Sequence, residues 1–194
     1  MVDYAEEADF SKRRRKRRSP AEIAARKKER AAARSEDEWR VYAKDLCYRQ
    51  LGMMERSTAQ LREAMERNLV PPEIAENVLQ AFIDADLVND ARFAAMFVRT
   101  RFTGKTTSRR ALRMDLQRKG VSGPEADEAL DQITGDDELE AATDFAVRKV
   151  RSMRDVEPEV KRRRLYGALG RRGFSPGQIR QAMDTALNEA DPDY

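Results

Sequence analysis

Histidine is absent from this chain of 194 residues, and cysteine occurs once, at Cys47. Without histidine the chain has no His general base, no Ser–His or Cys–His triad and no His-bearing metal site. A single cysteine cannot form an internal disulfide, which indicates a reducing cytosol. Aromatic residues make up only 7% of the chain, which disfavours a β-sandwich or barrel and favours thin helical packing.

Long apolar runs are also missing. None approaches the roughly 18 residues that a membrane span needs, and no apolar segment with a small-residue cleavage site stands near the N-terminus. We therefore expect no membrane association and no secretory signal, and we expect the protein to be cytoplasmic. The length suits one domain or an array of small repeats.

Charge is abundant and unevenly distributed. The net charge is +3, but residues 1–36 carry 12 Lys and Arg against 7 Asp and Glu, a net of +5, which leaves −2 for the rest. Residues 12–18 are all basic, and like charges repel, so residues 1–36 are predicted to be a disordered arm, of which 21–34 could become helical on a surface. Such an arm fits a tether to phosphates or an acidic partner, and equally a solubilising tail.

The remainder of the chain repeats itself three times. An apolar pattern recurs 53 residues further on and 51 residues earlier. Its members are Leu112, Leu116, Val121, Ala126, Ala129 and Leu130, then Leu165, Leu169, Phe174, Ile179, Ala182 and Met183, and before them Leu61, Met65, Val70, Ala75, Val78 and Leu79.

Turn and capping residues divide each copy into helices. Gly120 and Gly173 stand where a helix end requires a positive φ, whereas the first copy has Leu69 there, which makes its turn less certain. Capping boxes are predicted at Ser57–Gln60, Ser122–Glu125 and Ser175–Gln178. A longer helix leads each copy, over about 37–51, 89–102 and 137–153.

The resulting fold prediction is all-α: an elongated, curved array of three three-helix units, about nine helices in total. The predicted boundaries are 37–88, 89–135 and 136–188, with a short tail at 189–194. Phe93, Phe97 and Phe145 lie on apolar helix stripes and are predicted to be core residues, not stacking platforms for bases.

Two features resemble catalytic motifs and are rejected. Gly104-Lys105-Thr106 resembles the end of a phosphate loop, but the first glycine of that loop would fall at Arg99, and a helix is predicted where a strand is required. The carboxylates of residues 136–138 suit a helix start, where they complement the helix dipole. No catalytic, cofactor or metal site is predicted, and the chain is not expected to be an enzyme.

Basic helix faces are more informative. Arg109, Arg110 and Arg113 lie beside the buried side of their helix, and Arg162 and Arg163 stand at the register of the first two. These faces are either a binding surface or solvated helix surface. Arginine's fork suits phosphates and carboxylates alike, so the residues do not identify the partner. The candidate contact residues are Arg109, Arg110, Arg113, Lys119, Arg162, Arg163, Arg164, Arg171 and Arg172.

Three short motifs resemble those of one family. Residues 87–94, Leu-Val-Asn-Asp-Ala-Arg-Phe-Ala, resemble a Leu-Ile-Asp-Asp-x-Arg-Tyr-Ala stretch; residues 116–121 resemble Leu-x-x-Lys-Gly-Ile; and residues 169–175 resemble Leu-x-x-Arg-Gly-Phe-Ser. In this order they are similar to the RecX family of bacterial regulators of the RecA recombinase. The resemblance covers about residues 38–187. Asn89 departs from the usual Asp, and the basic arm lies outside the resemblance.

The resemblance implies a fold and a role together. Family members are tandem three-helix repeats that bind in the helical groove of the RecA–DNA filament and inhibit ATP hydrolysis, strand exchange and co-protease activity. The expected partner is therefore the RecA nucleoprotein filament, with single-stranded DNA as a second partner of the basic faces and arm. A monomer without cofactors, acting in DNA repair, recombination and the SOS response, is expected. The alternative is an autonomous, non-specific DNA-binding helical protein, which would bind duplex DNA with a steep salt dependence.

Overall fold

The computed structural model describes residues 19–104, 107–153 and 155–190, and all regular structure in these ranges is helical. There are ten helices in the described part. They are α1 (Pro20–Ala32), α2 (Glu36–Leu51), α3 (Thr58–Arg67), α4 (Pro72–Asp84), α5 (Asp90–Phe102), α6 (Arg109–Arg118), α7 (Pro124–Leu130), α8 (Gly135–Arg151), α9 (Pro158–Arg171) and α10 (Pro176–Ala190). Lys105 and Thr106, from the rejected phosphate-loop motif, lie outside the described residues.

Helices α2 to α10 form three successive units of three helices. All helix pairs in extensive contact belong to the same unit, and each unit has its own hydrophobic core. Unit 1 comprises α2–α4, unit 2 comprises α5–α7 and unit 3 comprises α8–α10. Phe102, at the end of α5, packs against the cores of both unit 2 and unit 3. The predicted all-α array of three three-helix units is confirmed.

The apolar repeat read from the sequence forms the three cores. Every one of its eighteen positions is buried. Phe93 and Phe145 are buried as predicted, and Phe97 is half-buried and stacks on Phe93 with ring centroids 5.9 Å apart. The phenylalanines therefore serve packing, and burial of these repeated positions is the main stabilising contribution within each unit.

Two of the three predicted capping boxes are confirmed, and one is wrong. The Ser57 hydroxyl accepts from the Gln60 amide and the Gln60 side chain accepts from the Ser57 amide; Ser175 and Gln178 do the same. Ser122 caps nothing, because Gly123 is the N-cap of α7, with φ 71°, and Pro124 opens the helix. The proline at the first helical position removes one of the amides that would otherwise lack a partner at this start.

The units are joined by a polar junction that occurs twice. Ser57 donates its hydroxyl hydrogen to the Lys119 carbonyl at 2.5 Å, and Ser108 donates to the Arg172 carbonyl at 2.9 Å. In each case the serine caps the second helix of one unit, and the carbonyl ends the second helix of the next unit. Both serines are buried, so the bond satisfies donor and acceptor away from water.

A carboxylate completes each junction. Asp90, in the first helix of unit 2, accepts from the Thr58 amide at 2.8 Å. Glu138, in the first helix of unit 3, accepts from the Arg109 amide at 2.7 Å. These acids meet the positive ends of α3 and α6, where helix dipoles favour negative charge. Glu138, which the sequence interpretation assigned only to the start of α8, therefore also caps α6 of the neighbouring unit.

The turn glycines allow the neighbouring unit to approach. Gly120 and Gly173 have φ of 79° and 84°, and Leu69 keeps the same left-handed conformation with φ 64°. A Cβ on Gly120 would lie 2.1 Å from the Ala59 Cβ, and one on Gly173 would lie 2.5 Å from the Ser108 hydroxyl oxygen. Leu69 is tolerated because its turn, in unit 1, precedes the first junction.

The arm that was expected to be disordered over residues 1–36 contains helix α1. Ser19 and Glu22 form a capping box at its start. Ala31 packs on the core of unit 1, the Lys27 ammonium donates to the Arg67 carbonyl, and the Arg34 guanidinium stacks on the Trp39 and Tyr42 rings. The alanine content noted in the sequence favours this helix, and contact with unit 1 stabilises it. The run of basic residues at 12–18 lies outside the described residues.

Substitution at the turns tests the glycine argument. Gly120→Ala should lower the free energy of unfolding by about 2 kcal/mol or more, because it adds a strained φ and a steric clash with Ala59. Leu69→Gly, the matched change at the turn without a junction, should alter it by less than about 1 kcal/mol. Urea unfolding followed by circular dichroism measures both. Equal losses at the two positions would contradict the role of close approach.

Candidate interaction surface

The nine candidate residues fall into two groups on neighbouring units. Four belong to α6 and the residue that follows it in unit 2, and five belong to α9 and the residue that follows it in unit 3. The structure does not gather them into one site. It gives each of them a different environment, and the environment decides which side chains remain available to a partner.

In unit 2, two of the four candidate residues form ion pairs within the unit. Arg109 bonds to Asp131 and Arg113 bonds to Asp127, both at 2.8 Å and both across to α7. Arg110 is exposed and has no ion pair within the described residues. Lys119 is half-buried beside the first junction, where its carbonyl accepts from Ser57.

A cleft of about 570 Å³ lies between unit 2 and unit 3. One wall carries Arg109, Arg110 and Arg113 of α6, and the other carries the start of α10. Glu138 lines it as well, already bonded to the Arg109 amide and within 3.4 Å of the Gln178 side chain. Because Arg109 and Arg113 are neutralised by α7, Arg110 is the uncompensated cation of this cleft among the described residues.

In unit 3 most of the candidate basic side chains are exposed to solvent. Arg162, Arg163 and Arg164 on α9 are exposed, and none of them makes an ion pair with a described residue. Arg171, at the end of α9, is exposed too. Because these exposed arginines have no carboxylate partner among the described residues, their positive charge is directed toward solvent.

Arg172 is part of the fold. Its guanidinium carbon lies 3.8 Å from the centroid of the Phe145 ring, and one of its nitrogens donates to the Ala168 carbonyl. Burial first, and the charge of Arg171 second, lower the pKa of Arg172 below its usual value. Its carbonyl also receives the Ser108 hydroxyl at the second junction. Of the nine candidates, Arg172 is the one most committed to internal contacts.

In unit 1 and in unit 2, an ion pair at the same register links the second and third helices of that unit. Arg62 binds Glu76 at 2.6 Å in unit 1, as Arg113 binds Asp127 in unit 2. The hydrogen bond between Arg62 and Glu76 raises the pKa of Arg62 and lowers that of Glu76. At the same register unit 3 has Tyr166 on α9 and Arg180 on α10.

The sequence interpretation missed Tyr166 and Arg180. The signal that could have found them was present, because adding 53 to positions 113 and 127 gives 166 and 180. It was missed because the repeat was compared at its apolar positions, whereas the change of chemistry lies at polar ones.

The arginine of the first family-like motif has a structural role. Arg92 bonds to Glu55 and Asp86, each at 3.0 Å, and donates to the Asp86 and Leu87 carbonyls. It thereby ties the loop after α2 to the turn after α4, at the start of unit 2. This explains why an arginine, with several donors in a fixed plane, occupies the position.

Neither a membrane span nor a metal cluster is found in the described ranges. None of the ten helices combines the length and apolar content that crossing a bilayer requires. No three Cys, Asp or Glu residues of the described part are placed to hold a metal ion.

The architecture defines the class: a helical-repeat protein of three tandem three-helix units joined by hydrogen-bonded junctions. Family models match the three units in order, as the first RecX three-helix domain over residues 43–81, the second over 89–130 and the third over 136–183. The chain belongs to the RecX family, which confirms the resemblance seen in its motifs.

Individual relatives agree with this assignment. The regulatory protein RecX of Streptomyces coelicolor is 37% identical over 151 residues, covering 78% of this chain and 80% of the relative. That of Amycolatopsis mediterranei is 33% identical over 147 residues, covering 76% and 84%. The crystal structure of RecX from Lactobacillus salivarius has the same fold, with a TM-score of 0.68 at 18% identity over 78% of this chain and 98% of that one. A second crystal structure of a regulatory protein RecX gives 0.71 at 22% identity, over 86% and 80%.

Adjacent arginines offer a matched test of these environments. Arg172→Ala should lower the free energy of unfolding by about 1–2 kcal/mol, because it removes the contact with the Phe145 ring. Arg171→Ala should change it by less than about 0.5 kcal/mol, since that side chain is exposed. Thermal and urea unfolding measure both variants. A larger loss for Arg171→Ala would show that the described packing of Arg172 is incorrect.

Proposed function

We propose that this protein is a negative regulator of RecA. It binds in the groove of the RecA–DNA filament and inhibits its ATP hydrolysis, strand exchange and co-protease activity, and so moderates DNA repair, recombination and the SOS response. The observation that carries the proposal is the match of all three RecX domains, in order, to one chain. The protein acts as a monomer in the cytoplasm, and the role requires no catalytic residue or cofactor.

The geometry suits a partner that is itself a repeating structure. Two junctions of the same kind place successive units in a repeated relation, so equivalent side chains recur along the array. Arg110 and Arg163 are equivalent in register and both exposed. Contacts made by several units of one chain act at a high effective concentration, so moderate individual affinities combine into tight binding.

The exposed arginines supply the attraction in this proposal. They meet acidic filament surface or DNA phosphates, and their positive charge speeds the encounter. Arg110 and Arg163 are the primary contacts; Arg162, Arg164 and Arg171 add to them. The other four candidates act indirectly, because their internal bonds maintain the structure of units 2 and 3; they are Arg109, Arg113, Lys119 and Arg172.

Charge reversal of the two equivalent arginines tests the proposal. The double variant Arg110→Glu/Arg163→Glu should need at least about tenfold more protein for half-inhibition of the DNA-dependent ATP hydrolysis of RecA, because two charge-assisted contacts become repulsive. The matched control is Lys44→Glu/Arg49→Glu, which reverses two exposed charges of unit 1. Circular dichroism should show unchanged helicity for both. Full inhibition by the arginine variant, or no inhibition by the wild type, would refute the proposal.

The basic run at residues 12–18 is tested separately. With all seven residues replaced by serine in the full chain, inhibition should persist, because the proposal assigns it to the three units. Keeping α1 matters, since Ala31 and Arg34 pack on unit 1. Loss of inhibition would transfer the function to the basic run. Tight, salt-sensitive duplex binding without RecA, lost with the basic run, would favour the alternative of an autonomous DNA-binding protein.

A further inference from the structure

Helix α1 covers the end of unit 1 at the place where units 2 and 3 each meet a preceding unit. At the two junctions the carbonyl after the second helix, that of Lys119 or Arg172, accepts from a serine of the preceding unit. Asn68 stands at the same register in unit 1. The carbonyl of Arg67, one residue earlier, accepts from the Lys27 ammonium of α1. Helix α1 therefore occupies, at unit 1, the position that a preceding unit occupies at units 2 and 3.

A lysine makes this contact without the close approach that the linking serines require. Gly120 and Gly173 allow the preceding unit to come close, whereas unit 1 has Leu69 at this turn, and its side chain remains exposed. The flexible four-carbon stem of Lys27 spans the extra distance to the carbonyl. Its charge also favours the contact, because the last carbonyls of a helix carry the negative end of the helix dipole.

Two aromatic rings hold a second cation, just after α1. The guanidinium carbon of Arg34 lies 4.6 Å from the centroid of the Trp39 ring and 4.1 Å from that of the Tyr42 ring. The two rings are 5.8 Å apart at an angle of 75°, so they form two walls of a cation site. The Tyr42 hydroxyl donates to the Asn68 side-chain oxygen, and the Asn68 amide donates to the Ala64 carbonyl. These bonds tie the Tyr42 ring to the end of α3, beside the lysine contact.

A single narrow stripe of the segment 19–34 contacts unit 1. Lys27, Ala31 and Arg34 are half-buried, and every other residue of this segment whose exposure is described is exposed. Their spacing of four and three residues places them on one side of a helix. Ala31 packs on the core of unit 1. Because no described residue of α1 is fully buried, the docking depends on two cations and one methyl group, and a contact of this size opens readily.

Charge complementarity indicates what the end of unit 1 accepts. Residues 37–88 carry 6 Lys and Arg against 10 Asp and Glu, a net of −4, whereas residues 20–34 carry 5 against 2, a net of +3. Unit 1 is therefore unfavourable to a polyanion and attracts a basic helix. The aromatic rings and the helix carbonyls both select cations as well.

We propose that this end of unit 1, formed by Trp39, Tyr42 and the Arg67 carbonyl, is a docking site for a basic helix of a partner protein, and that α1 occupies the site when the partner is absent. The partner helix carries a lysine, a small residue and an arginine at the spacing of residues 27, 31 and 34. It binds by displacing α1, so α1 is an autoinhibitory segment that lowers the apparent affinity for the partner. The site is separate from the arginines of units 2 and 3, to which the proposed function assigns the contact with the RecA filament.

The fluorescence of Trp39 reports on this site, because it is the single tryptophan of the chain. In the full chain, Lys27→Ala/Arg34→Ala should shift its emission to longer wavelength, since the ring loses its cover, while circular dichroism should show the three units intact. A synthetic peptide of residues 19–34 should reverse the shift. Labelled with fluorescein and followed by anisotropy, the peptide should bind this variant at least about tenfold more tightly than the wild type, in which α1 occupies the site.

Two matched controls define the contacts. A peptide with both Lys27→Ala and Arg34→Ala should bind the variant at least about tenfold more weakly, because it lacks both cations. The chain variant Lys28→Ala/Arg30→Ala, which removes two exposed cations of α1, should leave the Trp39 emission unchanged. The inference is overturned by an unshifted emission in the first variant, by equal affinities of the two peptides, by equal binding to variant and wild type, or by absence of peptide binding. A wild-type dimer in sedimentation would also overturn it, since α1 of a second copy would then be the occupant.

Discussion

The array depends on one hydrogen bond made twice. A buried serine hydroxyl caps its own helix and at the same time donates to the last carbonyl of the corresponding helix in the next unit. Both groups are removed from water, so an unmade bond would leave a buried polar group unsatisfied. The apolar cores stabilise the units separately, and this bond, with the carboxylate beside it, fixes how one unit meets the next. Small cores of this size gain from such neighbours.

Within each unit, the residues that stabilise the fold and the residues available for binding occupy different positions. The buried positions are apolar in every unit, and the residues of the junction repeat with the same chemistry. The surface between the second and third helices is where the units differ: two of them neutralise it with an ion pair, and the third leaves it cationic with an exposed ring. Exposed ion pairs contribute little to stability, so this position was free to change without loss of the fold.

The sequence predicted the units well because their cores follow a strict helical period. Buried positions such as Leu112 and Leu165 repeat at a fixed spacing, and Gly120 and Gly173 mark the turns between them. The sequence predicted the interaction surface less well, because exposure of an arginine depends on its spatial neighbours. Arg109 is paired to an acid twenty-two residues away, and Arg172 lies on a ring from another helix. The sequence predicted a helix over residues 21–34 only on binding to a surface, because few apolar residues of this segment dock it on unit 1.

The turn at Leu69 has a consequence for the number of units. A glycine at this point admits the preceding unit in units 2 and 3, whereas the Leu69 side chain would occupy the place of such a neighbour, so this turn does not fit a junction of the same kind. At the opposite end α9 starts at Pro158 and has Lys161 at the position that corresponds to the linking serines, so unit 3 lacks the hydroxyl that forms the two junctions. Two side-chain positions thus distinguish the first and the last of the three units. Relatives with more or fewer units could arise through substitutions at these two positions, with the internal units unchanged.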